Sequence, residues 1–316
     1  MNMMVDRQLI WMLSGVVGLL VLASVIGFLL GRGVTDEGKR AVIDNLNART
    51  RSWWVMCAVF AVAVGSGGIG SIILFALMSF LALREFITLT PTNRGDHRTL
   101  FWVFFIVIPL HYYLVATHWY GLFSILIPVY VFLFVPLRSA LAGDTTNFLE
   151  RTAKIQWGLM VCVYCVSHAP ALLMLDIPGY QGNAKLLFFL VLVVQLSDVL
   201  QYVFGKTLGR RKIAPLVSPN KTWEGFVGGV ACSSLIGAGL WWATPFTPLQ
   251  AGGMALAINL MGFSGGLCMS AIKRDRGVKD FGTIIEGHGG IMDRIDSISF
   301  AAPVFFHLTR YFFTSL

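Results

Sequence analysis

Charged residues are scarce in this chain of 316 residues, in which Asp, Glu, Lys and Arg together make up only 13%. A soluble domain carries about 25% charged residues. Hydrophobic residues make up 56% of the chain, too large a share to be hidden from water in one soluble fold. The composition therefore excludes an ordinary soluble enzyme and indicates a membrane protein that crosses the bilayer several times.

Cysteine is also rare, and its positions argue against both disulfides and a metal centre. All five cysteines lie in apolar segments, at positions 57, 162, 165, 232 and 268. Cys162 and Cys165 have the spacing of half a metal site, but the sequence contains no second pair with that spacing. We therefore expect the cysteine side chains to pack inside helices.

Long apolar stretches divide the chain into about ten predicted spans. Residues 53–86 and 101–137 are each too long for a single crossing, so we expect helical hairpins that turn at 65–68 and 118–121. The other predicted spans are residues 9–30, 157–175, 186–204, 226–243, 252–272 and 298–313. A polar stretch after the first span has a helix-start pattern at Thr35, which predicts a short surface helix. The predicted fold class is all-α, a polytopic transmembrane helical bundle.

The basic residues predict the orientation of these spans. The loops after the first, third, fifth, seventh and ninth spans hold nearly all the Lys and Arg; Arg84 lies at the end of the third span, and Arg7, Lys185 and Arg310 also lie elsewhere. By the positive-inside rule these loops are cytoplasmic and both termini face the other side. Topology thus explains the formal charge of +8, which does not indicate nucleic-acid binding. We expect one integral membrane domain over residues 1–316, with N-terminal helices in 1–180 and catalytic helices in 181–316.

One stretch, residues 270–296, mixes the two signs of charge more densely than any other part of the sequence. Its basic residues are Lys273, Arg274, Arg276, Lys279 and Arg294. Its acidic residues are Asp275, Asp280, Glu286, Asp293 and Asp296, and its glycines include Gly282, Gly287, Gly289 and Gly290. Cations for phosphates, carboxylates for a divalent metal and glycines for close backbone approach are the parts of a phosphoryl or nucleotidyl transfer site. Taken alone, Lys273 and Arg274 would instead be positive-inside anchors.

A second basic stretch, residues 205–225, follows an apolar run that contains Asp198. Residues 205–207, Gly-Lys-Thr, have the order found at the end of a P-loop, but that motif needs a glycine where this chain has Leu200. We therefore exclude a P-loop. An ionisable residue in an apolar run is costly and marks a functional site by default, whereas a place at the membrane interface is the alternative for Asp198.

Three sequence patterns occur in these stretches. The longest has matches at Ser270, Lys273, Arg274, Lys279, Asp280, His288, Gly289, Gly290, Asp293, Arg294 and Asp296. The second, Ser-Pro-x-Lys-Thr-Trp-Glu-Gly, covers residues 218–225, and the third has matches at Asp198, Tyr202, Gly205 and Lys206. Together they resemble the motifs of the phosphatidate cytidylyltransferases, also called CDP-diacylglycerol synthases. Upstream of Asp198, only the pattern of hydrophobic spans is similar to that family.

The resemblance implies roles for individual residues. It implies catalytic roles for Lys273, Arg274, Lys279, Asp280, His288 and Arg294. It implies substrate binding by Ser218, Lys221, Thr222, Ser270, Gly289 and Gly290. It implies metal binding by Asp293, Asp198 and Asp296. For His288, a structural hydrogen bond and a catalytic role have equal support from the sequence.

The implied reaction is cytidylyl transfer from CTP to phosphatidate, which gives CDP-diacylglycerol and pyrophosphate for phospholipid synthesis. The implied cofactor is Mg²⁺, and whether a second cation joins it stays open. The expected partners are CTP, phosphatidate or a related lipid phosphate, and membrane lipids, with no nucleic acid; a homodimer stays open. The expected location is a bacterial-type inner membrane, with the active site on the cytoplasmic side.

One departure from the family concerns Gly266, because the family usually has an Asp at this position, close before the signature serine. That Asp is a metal carboxylate in the family picture. Its loss leaves two alternatives open, the same chemistry on a different lipid phosphate and an inactive membrane partner. A transporter is disfavoured because the charged residues lie in loops and not near the middle of the membrane.

Overall fold

A computed structural model describes residues 7–32, 36–90, 92–285 and 289–314. Within these residues the chain forms ten long helices and a β-hairpin. In chain order the helices are α1 (Arg7–Gly31), α2 (Glu37–Gly65), α3 (Gly68–Thr88), α4 (Asp96–Ala116), α5 (Tyr120–Ala140), α6 (Phe148–Met174), α7 (Asn183–Thr207), α8 (Trp223–Gly239), α9 (Pro248–Asp275) and α10 (Met292–Phe313). The strands β1 (Lys212–Ala214) and β2 (Ser218–Thr222) lie between α7 and α8.

The predicted fold class, an all-α membrane bundle, is confirmed. Among the described helices seven, namely α1, α3 to α7 and α9, are long and apolar enough to cross a bilayer. The turns expected at 65–68 and 118–121 are present, and Gly67 and His118 have positive φ angles of 85° and 59° there. These two turns separate α2 from α3 and α4 from α5.

The prediction of a short surface helix after the first span is wrong. Helix α2 begins at Glu37 and continues without a break to Gly65, so the polar residues and the second span belong to one helix. Thr35, the expected helix start, lies outside the described residues. The physical reason is the absence of glycine and proline between residues 39 and 64, since nothing there ends the helix.

Three of the spanning helices contain a π-helical segment, which is a wider turn than that of an α-helix. These segments are Val103–Val107 in α4, Leu126–Val131 in α5 and Met160–Cys165 in α6. Pro109 follows the first of these turns and Pro128 lies within the second; proline lacks the backbone N–H that a regular turn needs. Cysteine packing is as expected at Cys162, which is fully buried in the third wide turn, whereas Cys268 is exposed on α9.

Glycines allow α8 to pack closely against α7. A Cβ atom on Gly225 would lie 2.7 Å from the backbone oxygen of Gln201, and one on Gly229 would lie 2.5 Å from the backbone nitrogen of Gln201. Small residues at such contacts let membrane helices approach backbone to backbone. The contact fixes the end of α7 that carries Asp198 against the start of α8.

The basic stretch between α7 and α8 is a hairpin and not the plain loop expected from the sequence. Strand β1 pairs antiparallel with β2, with Lys212 opposite Thr222 and Ala214 opposite Ser218. Thr222 ends the hairpin and caps α8, because its side-chain oxygen accepts a hydrogen bond of 3.1 Å from the Gly225 N–H. The hairpin therefore holds β2, including Lys221, at a defined place beside the helix ends.

Candidate active site

Asp293, in the first turn of α10, organises the segment that connects α9 to α10. Asp293 is only 5% exposed, so its carboxylate must find hydrogen-bond partners within the protein. Oδ1 accepts a bond of 2.8 Å from Lys273 Nζ at the end of α9. Oδ2 accepts from the backbone N–H groups of Phe281, at 2.8 Å, and Gly290, at 3.0 Å. One carboxylate thus ties together two helix ends and the connecting segment.

A second carboxylate in this region comes from the N-terminal half of the chain. Glu85, near the end of α3, is 6% exposed. Its Oε1 accepts from the backbone N–H of Ile291, at 3.0 Å, and its Oε2 from that of Met292, at 2.9 Å. The first N–H groups of a helix have no partner within it, so Glu85 satisfies two of them for α10.

Two glycines make room for these carboxylates. Gly289 has a φ angle of 80°, which a residue with a side chain rarely adopts, and its Cβ would lie 2.7 Å from Asp293 Oδ2. A Cβ on Gly290 would clash with Glu85 Oε2. The sequence predicted both glycines as substrate-binding residues, and the described contacts explain them through the packing of the protein itself.

A separate cluster lies where α7 and α10 meet. Ser297 on α10 donates a hydrogen bond of 3.0 Å to Asp198 Oδ2 on α7, and its Oγ also lies 3.4 Å from Asp296 Oδ1. Both carboxylates are partly buried and close enough to repel each other. Lys221, Lys273 and Arg294 all attract Asp296 electrostatically. The cluster thus places two acids among three cations, which fits a site for a highly charged ligand.

Lys221, on β2, is the cation that the hairpin supplies to this cluster. Burial lowers the pKa of its ammonium group, while the negative charges of Asp198 and Asp296 act in the opposite direction. Its Nζ lies 4.5 Å from the centre of the Phe263 ring on α9. A Cβ on Gly266 would lie 3.1 Å from Lys221 Nζ and 4.0 Å from Asp296 Oδ2. Position 266 therefore faces the cluster, and an acidic side chain at this position would belong to it.

The remaining predicted site residues have varied positions. Ser270 donates to the backbone oxygen of Gly266 within α9, over 2.7 Å. Arg274 is exposed, and its guanidinium donates to the backbone oxygens of Val217, at 3.3 Å, and Val278, at 3.4 Å. The side chains of Lys279 and Asp280 are exposed, and Ser218 is partly exposed on the hairpin. His288 lies outside the described residues.

Glu85 is the site residue that reasoning from sequence missed. It lies in an apolar run far from the recognised motifs, in the part of the chain where only hydropathy was similar to the family. The signal that identified Asp198, an ionisable residue within a predicted span, applied equally to Glu85. Its role as a cap for α10 depends on a contact between residues more than 200 positions apart, which the sequence pattern does not contain.

The donor set fits a divalent cation only if the substrate contributes ligands. Among the described residues, no group of three His, Cys, Asp or Glu side chains is placed to hold a metal ion. Mg²⁺ is commonly bound by one or two carboxylates together with substrate phosphates and water. Asp198 and Asp296 meet that requirement, and they approach each other around Ser297. The oxygens of Asp293 are already engaged by Lys273 and two backbone N–H groups.

The fold and this site together define an integral membrane protein with a charged cluster between α7, α10 and the β-hairpin. The model of the cytidylyltransferase family matches residues 47–312. The chain belongs to this family, and it is thus an integral membrane member of a nucleotidyltransferase family.

Two of the three relatives that follow are named as phosphatidate cytidylyltransferases. The chain is 41% identical over 304 residues, 95% of this chain and 97% of the relative, to the Escherichia coli (strain K12) protein named Uncharacterized protein YnbB. It is 27% identical over 264 residues, 82% of this chain and 97% of the relative, to a phosphatidate cytidylyltransferase of Staphylococcus aureus (strain COL). It is 40% identical over 128 residues, 37% of this chain and 46% of the relative, to a phosphatidate cytidylyltransferase of Staphylococcus saprophyticus.

Proposed function

We propose that this protein transfers a cytidylyl group from CTP to phosphatidate, giving CDP-diacylglycerol and pyrophosphate. The observation that carries the proposal is the cluster in which Lys221 and Arg294 attract the carboxylates of both Asp198 and Asp296, and Lys273 attracts that of Asp296. A cluster of this kind suits the meeting of two phosphate-bearing substrates with a divalent cation. The family and the names of its relatives support the choice of CTP and phosphatidate.

In the proposed reaction, a phosphate oxygen of phosphatidate attacks the α-phosphorus of CTP. The bond from that phosphorus to the bridging oxygen breaks, and pyrophosphate leaves with the bonding electrons. A lipid phosphate is largely ionised near neutral pH, so no residue has to deprotonate it. The protein's task is to bring two anions together and to stabilise the charge on the leaving group. We assign this task to Lys221, Lys273 and Arg294.

We propose Asp198 and Asp296 as the first candidates for holding Mg²⁺, ahead of Asp293, which the sequence put first. The chemistry that such an ion supplies when bound is neutralisation of phosphate charge. For Asp293 we propose a positioning role, because its bonds to Lys273, Phe281 and Gly290 hold the connecting segment in place. Lys279, Asp280, Arg274 and His288 remain proposed catalytic residues.

We further propose that the site faces the cytoplasm of a bacterial-type inner membrane. The basic hairpin and the basic end of α9 lie on the side to which the positive-inside rule assigns the cytoplasm. CTP would reach the site from water, and the lipid phosphate would enter from the adjacent leaflet.

Gly266 faces the charged cluster without a carboxylate, and this favours a second candidate function, the same chemistry on a different lipid phosphate. It also favours the alternative of an inactive membrane partner. The test is the release of pyrophosphate by purified protein with CTP, Mg²⁺ and a panel of lipid phosphates. The primary proposal expects turnover with phosphatidate that depends on both substrates. Turnover with another lipid phosphate alone would support the second candidate, and no turnover with any of them would leave the inactive partner.

A further inference from the structure

An apolar cavity of about 480 Å³ adjoins the charged cluster. Its walls come from α1, α2, α3, α7, the segment before α10, and α10 itself, through residues such as Val16, Phe60, Phe75, Leu192 and Ile298. The volume lies within the roughly 300–1,000 Å³ of small-molecule sites. Almost every described residue that lines it is apolar, so the matching ligand has a hydrocarbon part.

One charged side chain among the described lining residues, Arg294, joins this cavity to the charged cluster. Its Nε atom is buried and has no hydrogen-bond partner among the described residues. The same guanidinium attracts the carboxylates of Asp198 and Asp296. A buried donor without a partner costs free energy unless a ligand satisfies it. An anionic group at this end of the cavity would do so.

The cavity runs along α7 towards Asp198, which also indicates a ligand whose charged end lies beside the charged cluster. Gln195 lines the cavity, and Asp198 lies three residues later, hence on the same side of the helix. A ligand that placed its hydrocarbon part against Leu192 and its charged end beside Arg294 would therefore present that end to the proposed transfer site. A lipid phosphate has these two parts in that order.

Helix α1 gives the cavity a wall that the family match does not contain. The match begins at residue 47, after the end of α1 at Gly31. Leu13 and Val16 of α1 nevertheless line the cavity. The helix is held in place by a hydrogen bond of 3.1 Å from Trp54 Nε1 to Ser24 Oγ and by one of 3.2 Å from Gln8 Nε2 to the backbone oxygen of Trp242.

We infer that this cavity binds an acyl chain of the lipid-phosphate substrate, that Arg294 binds its phosphate, and that α1 selects the length of the chain. The inference rests on the proposed function, because it places the lipid substrate of that reaction. For phosphatidates short enough to bind from water as monomers, each buried methylene should strengthen binding by about fourfold until the cavity is full. Lengthening the acyl chain beyond that point should give no further gain.

The kinetic test compares two tryptophan substitutions at adjacent positions of α1. Val16 lines the cavity, whereas Val17 is 46% exposed on the outside of the helix. Val16→Trp should raise KM for dioleoyl phosphatidate at least tenfold, and leave KM for CTP and for dihexanoyl phosphatidate unchanged. Val17→Trp should change none of them. Equal effects of the two substitutions on the long-chain substrate would overturn the inference.

A binding test needs no turnover. Purified protein without CTP is irradiated with a phosphatidate that carries a photoreactive group in its acyl tail, and the labelled positions are mapped. We expect labels on cavity residues of α1, α2, α3 and α7, displaced by unlabelled phosphatidate at least tenfold better than by phosphatidylcholine. Arg294→Gln should abolish that preference. Equal displacement by phosphatidylcholine, which would indicate an ordinary membrane lipid, or labels only on outward-facing residues would each overturn the inference.

The two tests separate this inference from the proposed function. Specific labelling of the cavity without pyrophosphate release would overturn the proposed reaction and leave the lipid site standing. Turnover of phosphatidate together with labelling outside the cavity would overturn the proposed lipid site and support the proposed reaction.

Discussion

Glu85 Oε2 accepts a hydrogen bond of 2.9 Å from the backbone N–H of Met292, so a carboxylate of α3 caps the start of α10. The next residue along α10 is Asp293, whose own carboxylate holds Lys273 and the connecting segment. The position of the charged site therefore depends on a helix that belongs to none of the recognised motifs. This dependence leads to the first prediction.

Glu85→Ala should lower both the apparent Tm in detergent and the rate of pyrophosphate release. It leaves the N–H groups of Ile291 and Met292 without their partner, and each bond to a charged acceptor contributes about 1.5–3 kcal/mol. Glu85→Gln should lose less, because the amide oxygen still accepts one bond. The control is Glu150→Ala, which removes an exposed carboxylate from α6. Equal Tm values for the Glu85 and Glu150 variants would refute the capping role.

Lys273→Ala should reduce activity at least tenfold. The substitution removes a proposed phosphate contact and leaves the buried Asp293 carboxylate without its cation, a change that costs about 3–5 kcal/mol when a buried ion pair loses one partner. The matched control is Arg94→Ala, which removes an exposed basic residue from the loop after α3. Steady-state kinetics and thermal unfolding measure the two effects. Wild-type behaviour of the Lys273 variant would make this residue a simple positive-inside anchor.

Asp198→Asn and Asp296→Asn should each increase the Mg²⁺ concentration needed for half-maximal activity, because each removes a proposed ligand. Asp293→Asn should abolish activity in a way that added Mg²⁺ does not restore, since it disrupts the bonds to Lys273 and to the connecting segment. Metal titrations of the variants decide between the two roles. Recovery of Asp293→Asn at high Mg²⁺ would identify Asp293 as the ligand instead.

Gly266→Asp should be tolerated and should lower the Mg²⁺ concentration needed for activity. A side chain at position 266 meets the mobile end of Lys221 first, 3.1 Å from the new Cβ, and this end can move. The added carboxylate would then join Asp296 in the cluster. Gly266→Ala has the same Cβ without the charge and should leave the metal requirement unchanged. If both variants shift the requirement equally, the effect is steric and position 266 plays no part in metal binding.

Lys212 and Arg276 should both be accessible from the cytoplasm, because the basic segments lie in every second loop along the chain. Cysteine placed at either position should react with a membrane-impermeant maleimide only after the cells are opened. Cysteine at Gln181, in the turn between α6 and α7, is the control and should react in intact cells. Labelling of Lys212→Cys or Arg276→Cys in intact cells would reverse the proposed orientation.

Local features of the sequence predicted most of the helices and failed at two places. Glycine-containing turns and long apolar runs are visible locally, so the hairpins at Gly67 and His118 are where they were expected. The length of α2 was misjudged because the polar residues were expected to form a separate short helix, although neither glycine nor proline interrupts residues 39–64. The β-hairpin was missed because its two short strands carry no alternation of apolar and polar residues.

The sequence by itself determined the membrane class and the long motif that contains Lys273, Asp293 and Arg294, because composition and spacing are properties of the chain alone. Only the tertiary structure decided which acid is engaged by backbone amides and which acids approach each other. Asp293 and Asp296 are neighbours in one motif, yet the first bonds to backbone amides and the second meets Asp198 from another helix. The physical reason is that a carboxylate's role follows from its partners in space, and those partners come from α3, α7, α9 and the hairpin.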